Sequence, residues 1–285
     1  MERLAGAGLS HVFVPDHVSF FVGAGMDGLI QASHLSSLDE RISVVVGVYL
    51  LALRHPVPVA RQIASICEHA PGRLVLGVGV GGEDRHEVEV CGVDPGTRGK
   101  RTDECLAVLR GLLPGEPFSF DGDFFQFEKA WIQPPPDPAV PILIGGRSTA
   151  SVRRTAQYGD GWLGAWVSSR RFAGVVAEVA EQSASFGREA TRWQHGLQLW
   201  IGIDHDRQRA RERLAASMEH FYRGTRFESF ERYCPYGSPA EIAEFLAPYL
   251  EHGCELFNLM PVCDSFETGI DAVVEVRERL ESFRA

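Results

Sequence analysis

Asp16 and His17 end the apolar run His11-Val12-Phe13-Val14, and they are the side chains best suited to moving a proton. Histidine titrates near neutrality, so it can take or give a proton, and an adjacent carboxylate can orient its ring or a ligand. Two glycine clusters end other apolar runs. Gly77-x-Gly79-x-x-Gly82 closes the run from Arg73, and Gly145-Gly146-Arg147-Ser148 closes Pro141-Ile142-Leu143-Ile144. Ser148 is placed to cap a helix carrying Ser151, Val152 and Ala156. Free helix N–H groups, hydroxyls and Arg147 together make an anion site. The Gly77 to Gly82 run has the form of a dinucleotide fingerprint. Such a unit needs a strand ending in an acid about 20 positions on, but that window holds Gly96-Thr97-Arg98-Gly99-Lys100-Arg101-Thr102-Asp103, a loop entering a helix. The glycines are read instead as letting a flat ring or a phosphate approach the backbone, or as a tight turn.

Other polar clusters carry less. Asp204-His205-Asp206 directly precedes a helix and reads as capping. His55 and His86 lie near strand ends and are second-rank candidates. No spacing resembles a zinc site, so no metal is expected, and there is no G-x-S-x-G.

These residues need strands that end abruptly and helices that follow. The runs at 11–14, 42–49, 73–80, 141–144, 161–166, 197–203 and 256–260 read as seven strands of parallel type. Helices are expected at 27–38, 56–70, 102–113, 148–158, from 166 to about 186, through Phe221, at 238–252 and at 265–283. Asp121-Gly122-Asp123 between two phenylalanine-rich runs signals an inserted β-hairpin. With no break in composition, residues 1–285 are expected to form a single α/β domain, either a barrel of eight units with one missing or a wide open sheet. Both architectures place chemistry at the C-terminal ends of their strands.

Composition excludes several function classes. The 285 residues are 45% hydrophobic, enough for a large core. A net charge of −10 without a basic block argues against nucleic acid or an anionic membrane as partner. Six scattered cysteines with no C-x-x-C pair read as reduced thiols, and there is no apolar run of about 18 residues and no signal peptide, so a cytoplasmic protein is expected.

The motifs together resemble the bacterial luciferase-like superfamily, whose members bind FMN or the deazaflavin coenzyme F-420. The resemblance is carried by Val12-Phe13-Val14-Pro15-Asp16-His17, Leu53-Arg54-His55-Pro56, Gly72-Arg73-Leu74-Val75-Leu76-Gly77-Val78-Gly79, and the stretch from Pro141 through Gly145-Gly146 to Tyr158-Gly159-Asp160-Gly161-Trp162. It implies a TIM (β/α)8-type barrel with its active site at the C-terminal face. It implies that Asp16 and His17 flank the cofactor ring as catalytic residues, and that a cis peptide within Gly47-Val48-Tyr49 bulges under the ring, with Val48 and Tyr49 binding it. The phosphate is then expected at Gly81, Gly82, Gly145, Gly146, Arg147 and Ser148.

The implied activity is an oxidoreductase passing hydride between coenzyme F-420 and a small organic substrate, His17 exchanging the proton. With FMN instead, the implication is a monooxygenase supplied by a separate flavin reductase; a cofactor-binding barrel without catalysis is a third reading, and a homodimer fits any of them. Relatives with sugar-phosphate or alcohol substrates carry a Trp four positions after the His, where this chain has Phe21. Their acid after the glycine loop has no aligned counterpart here, because Glu83 and Glu87 are displaced by an insertion. Relatives also begin with a strand and most of a helix ahead of the segment matching Arg3-Leu4-Ala5-Gly6-Ala7-Gly8. The barrel is therefore expected to lack its first strand, or the start to be assigned late, leaving His11 to Val14 with an unpaired edge.

Overall fold

The computed structural model describes residues 1–21, 25–82 and 84–283. After helix α1 (Glu2–Gly6), strands and helices alternate: β1 (His11–Val14), α2 (Gly28–Ser36), β2 (Ser43–Tyr49), α3 (Pro56–His69), β3 (Leu74–Val78), α4 (Arg85–Val90) and α5 (Arg98–Leu112). A hairpin of β4 (Phe118–Asp121) and β5 (Gln126–Ala130) interrupts them. The alternation resumes with β6 (Ile142–Gly145), α6 (Thr149–Tyr158), β7 (Gly161–Ala165), α7 (Ser169–Ser183), β8 (His195–Ile203), α8 (Arg207–Phe221), β9 (Tyr236–Gly237), α9 (Pro239–Glu251), β10 (Cys254–Val262) and α10 (Phe266–Ser282).

Seven strands pair in parallel in the order β1-β2-β3-β6-β7-β8-β10, the seven read from the sequence, in a TIM-barrel-like α/β arrangement. Buried β-branched and leucine side chains explain the central strands: Val44, Val45, Val46, Leu76 and Ile142 are all inaccessible to solvent. The two-residue β9 pairs with β8 off this path and was too short to read as periodicity. The short helix α4 was also missed, and α5 begins a turn earlier than expected. Helix starts follow capping chemistry. Asp27, Ser148, Ser168, Asp206, Ser238 and Ser265 each accept a backbone N–H of the helix that follows. The reading of Asp204-His205-Asp206 as a cap holds, with Asp204 also gripping Arg209 at 2.6 Å.

Among the described residues, β1 pairs only with β2 and β10 only with β8, so the expected free edge on His11 to Val14 is present. The two edges border a groove of about 870 Å3 lined by Leu4, Leu9, Val12, Phe257, Leu259 and α10 side chains. A hydrogen bond from the His11 ring to Asn258, at 3.1 Å, links the two edge strands. No helix among the described residues is long and apolar enough to cross a membrane.

Candidate active site

A second cleft, of about 390 Å3, opens where the strands end. Asp16, His17, Val48, Gly81, Gly145, Gly146 and Arg147 all border it. Its floor is set by β2, whose Gly47–Val48 peptide is cis, inside the tripeptide where one was expected. The Val48 side chain lies over the tips of β3 and β6. A Cβ on Gly79 would strike it, one on Gly145 would come within 3.0 Å of it, and one on Gly77 would strike the Val46 carbonyl. Gly77 and Gly79 therefore have to be glycine because β2 presses on them; Gly77 lies away from the cleft, whereas Gly79 also borders it. Gly81 and Gly82 do form a turn, at φ of 67° and 137°.

Tyr49, Gly82 and Ser148 do not line the cleft. Tyr49 points the other way: it is 1% exposed, and the Arg54 guanidinium sits 4.3 Å from its ring centre. Burial raises its phenol well above the usual value. The alternation of a strand explains this, since neighbours Val48 and Leu50 face the cleft and Tyr49 the core. The Ser148 hydroxyl accepts the Ser151 N–H at 3.3 Å, which leaves the N-terminus of α6 directed at the Gly146-Arg147 turn beside the cleft.

Asp16 and His17, adjacent in sequence, have separate partners. Asp16 is 1% exposed. Its carboxylate accepts the N–H groups of Gly28 at 3.0 Å and Leu50 at 2.8 Å, and both guanidinium nitrogens of Arg54 at 2.7 and 2.8 Å. Burial pushes this carboxyl above its usual range, and Arg54 with the two N–H groups opposes that. Asp16 therefore pins the loop after β1 to the end of β2. It does not orient the His17 ring as its position suggested. That partner is Glu87, on α4, whose Oε2 lies 3.1 Å from His17 Nδ1 while Oε1 accepts the N–H groups of Val18 and Ser19. Of the two acids after the glycine loop, Glu87 reaches the site; Glu83 lies outside the described residues. Phe20, not Phe21, faces the cleft, its ring 4.0 Å from that of His17. His55 caps α3 through Val57 at 3.3 Å, and His86 is exposed on α4, so neither second-rank histidine joins the site.

Arg98 was missed by sequence reasoning. A Cβ on Gly82 would lie 3.1 Å from its Nη2, and its buried Nε has no hydrogen-bond partner. A guanidinium with an unused donor beside a glycine turn suits an anion. Its only sequence signal was an arginine in the window that excluded the dinucleotide fold.

A cleft floored by Val48 and bare glycine backbone, with a histidine at one wall and two arginines near its glycine turns, fits a flat ring carrying a phosphate. Residues 1–253 match the family model described as luciferase-like monooxygenase. An uncharacterized protein of Mycobacterium tuberculosis is 32% identical over 212 residues, spanning 68% of this chain and 73% of that one. An F420-dependent glucose-6-phosphate dehydrogenase of Nakamurella multipartita is 27% identical over 211 residues, 71% of this chain and 62% of that one. Among solved structures, an F420-dependent secondary alcohol dehydrogenase in complex with an F420-acetone adduct superposes with a TM-score of 0.85 at 22% identity, over 98% of this chain and 92% of that one. A monooxygenase of Streptomyces bottropensis gives 0.82 at 19% identity, over 99% and 91%.

Proposed function

Because the chain belongs to the luciferase-like monooxygenase family, we propose that it is an oxidoreductase that works with the deazaflavin coenzyme F-420 and exchanges hydride with a small organic substrate. The observation that carries this reading is His17, paired with Glu87 and bordering a cleft lined by glycine backbone. A bound deazaflavin supplies a two-electron hydride acceptor or donor and activates oxygen poorly.

The protein's part is binding, orientation and proton transfer. The turns at Gly81-Gly82 and Gly146-Arg147, the α6 N-terminus and Arg98 would hold the phosphate, and Val48 would support the ring. Glu87 engages Nδ1 of His17, which leaves Nε2 as the ring nitrogen that exchanges a proton with the substrate. When an alcohol loses hydride from carbon, Nε2 takes the hydroxyl proton; in the reverse direction it returns it. Asp16 acts at a distance, holding the loop that carries His17.

Names of relatives support the deazaflavin: two similar proteins are called F420-dependent glucose-6-phosphate dehydrogenases. Titrating the purified protein with coenzyme F-420 and with FMN, read by cofactor fluorescence, tests the reading. Saturable binding of coenzyme F-420, tighter than that of FMN, is expected; preference for FMN would move the protein to the monooxygenase reading.

A further inference from the structure

We propose that the substrate side of this cleft selects a neutral, mainly aromatic or alicyclic molecule bearing one small polar group, a ketone or secondary alcohol, and rejects phosphorylated and carboxylated compounds. The inference rests on the reading above for its reacting end only; its binding wall stands on the rings themselves.

The wall beyond His17 is a continuous series of aromatic rings drawn from four parts of the chain. Phe20, in the loop after β1, lies 5.2 Å from Phe221 at the end of α8. Phe221 is 5.7 Å from Trp200 on β8 and 4.8 Å from Tyr222, whose ring is 5.1 Å from Trp166 after β7. These five rings all border the cleft. Such faces and edges receive apolar and aromatic groups in offset or edge-on contact.

Polar groups on the same wall are engaged with one another. Gln198 donates to the Gly47 carbonyl at 3.0 Å and accepts from Asn258 at 3.2 Å, and the Trp200 indole N–H meets the Tyr222 hydroxyl at 3.5 Å. Asp16 is held by Arg54. Among the described residues bordering the cleft, Arg147 is the one arginine or lysine, and it belongs to the glycine turn that the cofactor phosphate would occupy. The chain has two lysines, Lys100 and Lys129, and neither borders the cleft. The Arg147 guanidinium lies 5.5 Å from the Trp166 ring centre; with the cofactor phosphate held on it, an anionic substrate laid against the other rings would lose hydration and gain no countercharge. His17 supplies the single polar contact, matching one carbonyl or hydroxyl. A volume of about 390 Å3, shared with a cofactor ring, leaves room for a small molecule.

Acetophenone and benzoate are similar in shape and differ in charge, so they test the wall. Each is titrated into the full chain, with and without saturating coenzyme F-420, and followed by tryptophan fluorescence and calorimetry, with glucose 6-phosphate as a third ligand. Acetophenone is expected to bind at least about tenfold more tightly than either anion. In Phe221→Lys that preference for acetophenone over benzoate is expected to collapse or reverse while coenzyme F-420 affinity holds. Should the lysine variant fail to fold, Phe221→Ala is expected to weaken acetophenone selectively. Benzoate or glucose 6-phosphate binding as well as acetophenone, or a preference untouched by both variants, overturns the proposal. Failure to bind coenzyme F-420 overturns the proposed function instead; the wall is then decided by comparing the acetophenone-to-benzoate preference of Phe221→Lys with that of the unsubstituted chain, because the glycine turns and arginines are the same in both.

Discussion

His17 Nδ1 lies 3.1 Å from Oε2 of Glu87, and the other oxygen of that carboxylate accepts the N–H groups of Val18 at 2.7 Å and Ser19 at 3.1 Å. One buried acid thus fixes both the ring and the loop that carries it. Burial works against its charge, but the His17 hydrogen bond and the two N–H groups outweigh it and hold the carboxyl below its usual value. The consequence is division of labour between two acids: Glu87 sets the ring, and Asp16, bonded to Arg54, Gly28 and Leu50, sets the backbone.

Removing His17 as alanine is expected to lower turnover by about 10²–10⁴-fold, the usual share of a general acid–base group, with coenzyme affinity unchanged. Glu87→Gln should lose part of that rate and about 1–3 kcal/mol of stability, since the amide cannot accept all three hydrogen bonds. Because the Glu87 carboxyl is depressed in the fold, its contribution is complete above its ordinary value of 4.5 and is lost as pH falls through the lower folded value. Melting curves of both proteins across that range should converge at the acid end. Full turnover in His17→Ala would remove the proton-transfer role.

At the glycine turn, Ser148→Asp keeps a good helix cap while placing a negative charge beside the expected phosphate. Coenzyme F-420 affinity should fall at least about tenfold, or about 1.4 kcal/mol. Arg98→Gln should weaken it in the same direction by removing a guanidinium from beside Gly82. Fluorescence titration of the coenzyme reads both, and unchanged affinities would place the phosphate elsewhere.

The seven strands were legible because buried runs such as Val44-Val45-Val46 and Leu74-Val75-Leu76 have no polar interruption, and the caps because Asp27, Ser148 and Ser238 stand just ahead of periodic segments. What sequence could not show was who meets whom. Asp16 and His17 are neighbours in the chain, yet their side chains leave in different directions, and the carboxylate that reaches His17 comes from a six-residue helix too short to announce itself. Likewise, the sequence did not show that Gly77 and Gly79 must be glycine because Val46 and Val48 of β2 press against them, a contact between strands that periodicity does not encode.

His195 gives the fold an acid sensitivity away from the cleft. It is 3% exposed, its Nδ1 accepts the Trp162 N–H at 3.1 Å, and its Nε2 has no partner. Burial lowers its pKa to about 4 from 6.5. Between those values the unfolded chain binds a proton that the folded one refuses, so stability rises with pH through the window. The loss on acidification should approach about 3 kcal/mol by its lower end. His195→Leu should flatten this dependence while lowering stability at neutral pH by about 1–3 kcal/mol, because the Trp162 N–H loses its acceptor. Denaturant titrations at several pH values check it, and an unchanged slope in the variant would exonerate His195.

The open side of the sheet should be visible in amide exchange. β1 has β2 on one side and the groove on the other, linked to β10 by the His11–Asn258 bond, while Arg277 of α10 donates to the carbonyls of Ala7 and Gly8 in the segment ahead of it. Backbone groups on the groove side of β1 have no ladder partner, whereas β2 is paired on both edges. His11 to Val14 should therefore exchange faster than Ser43 to Tyr49, and His11→Ala should widen the gap by removing the link to β10. The eight paired residues of nine-residue β10 along β8 should keep that strand better protected than β1 despite its own free edge. Protection of β1 equal to that of β2 would mean that its free edge is covered in solution, and if that protection faded on dilution, the cover would be a second copy of the chain.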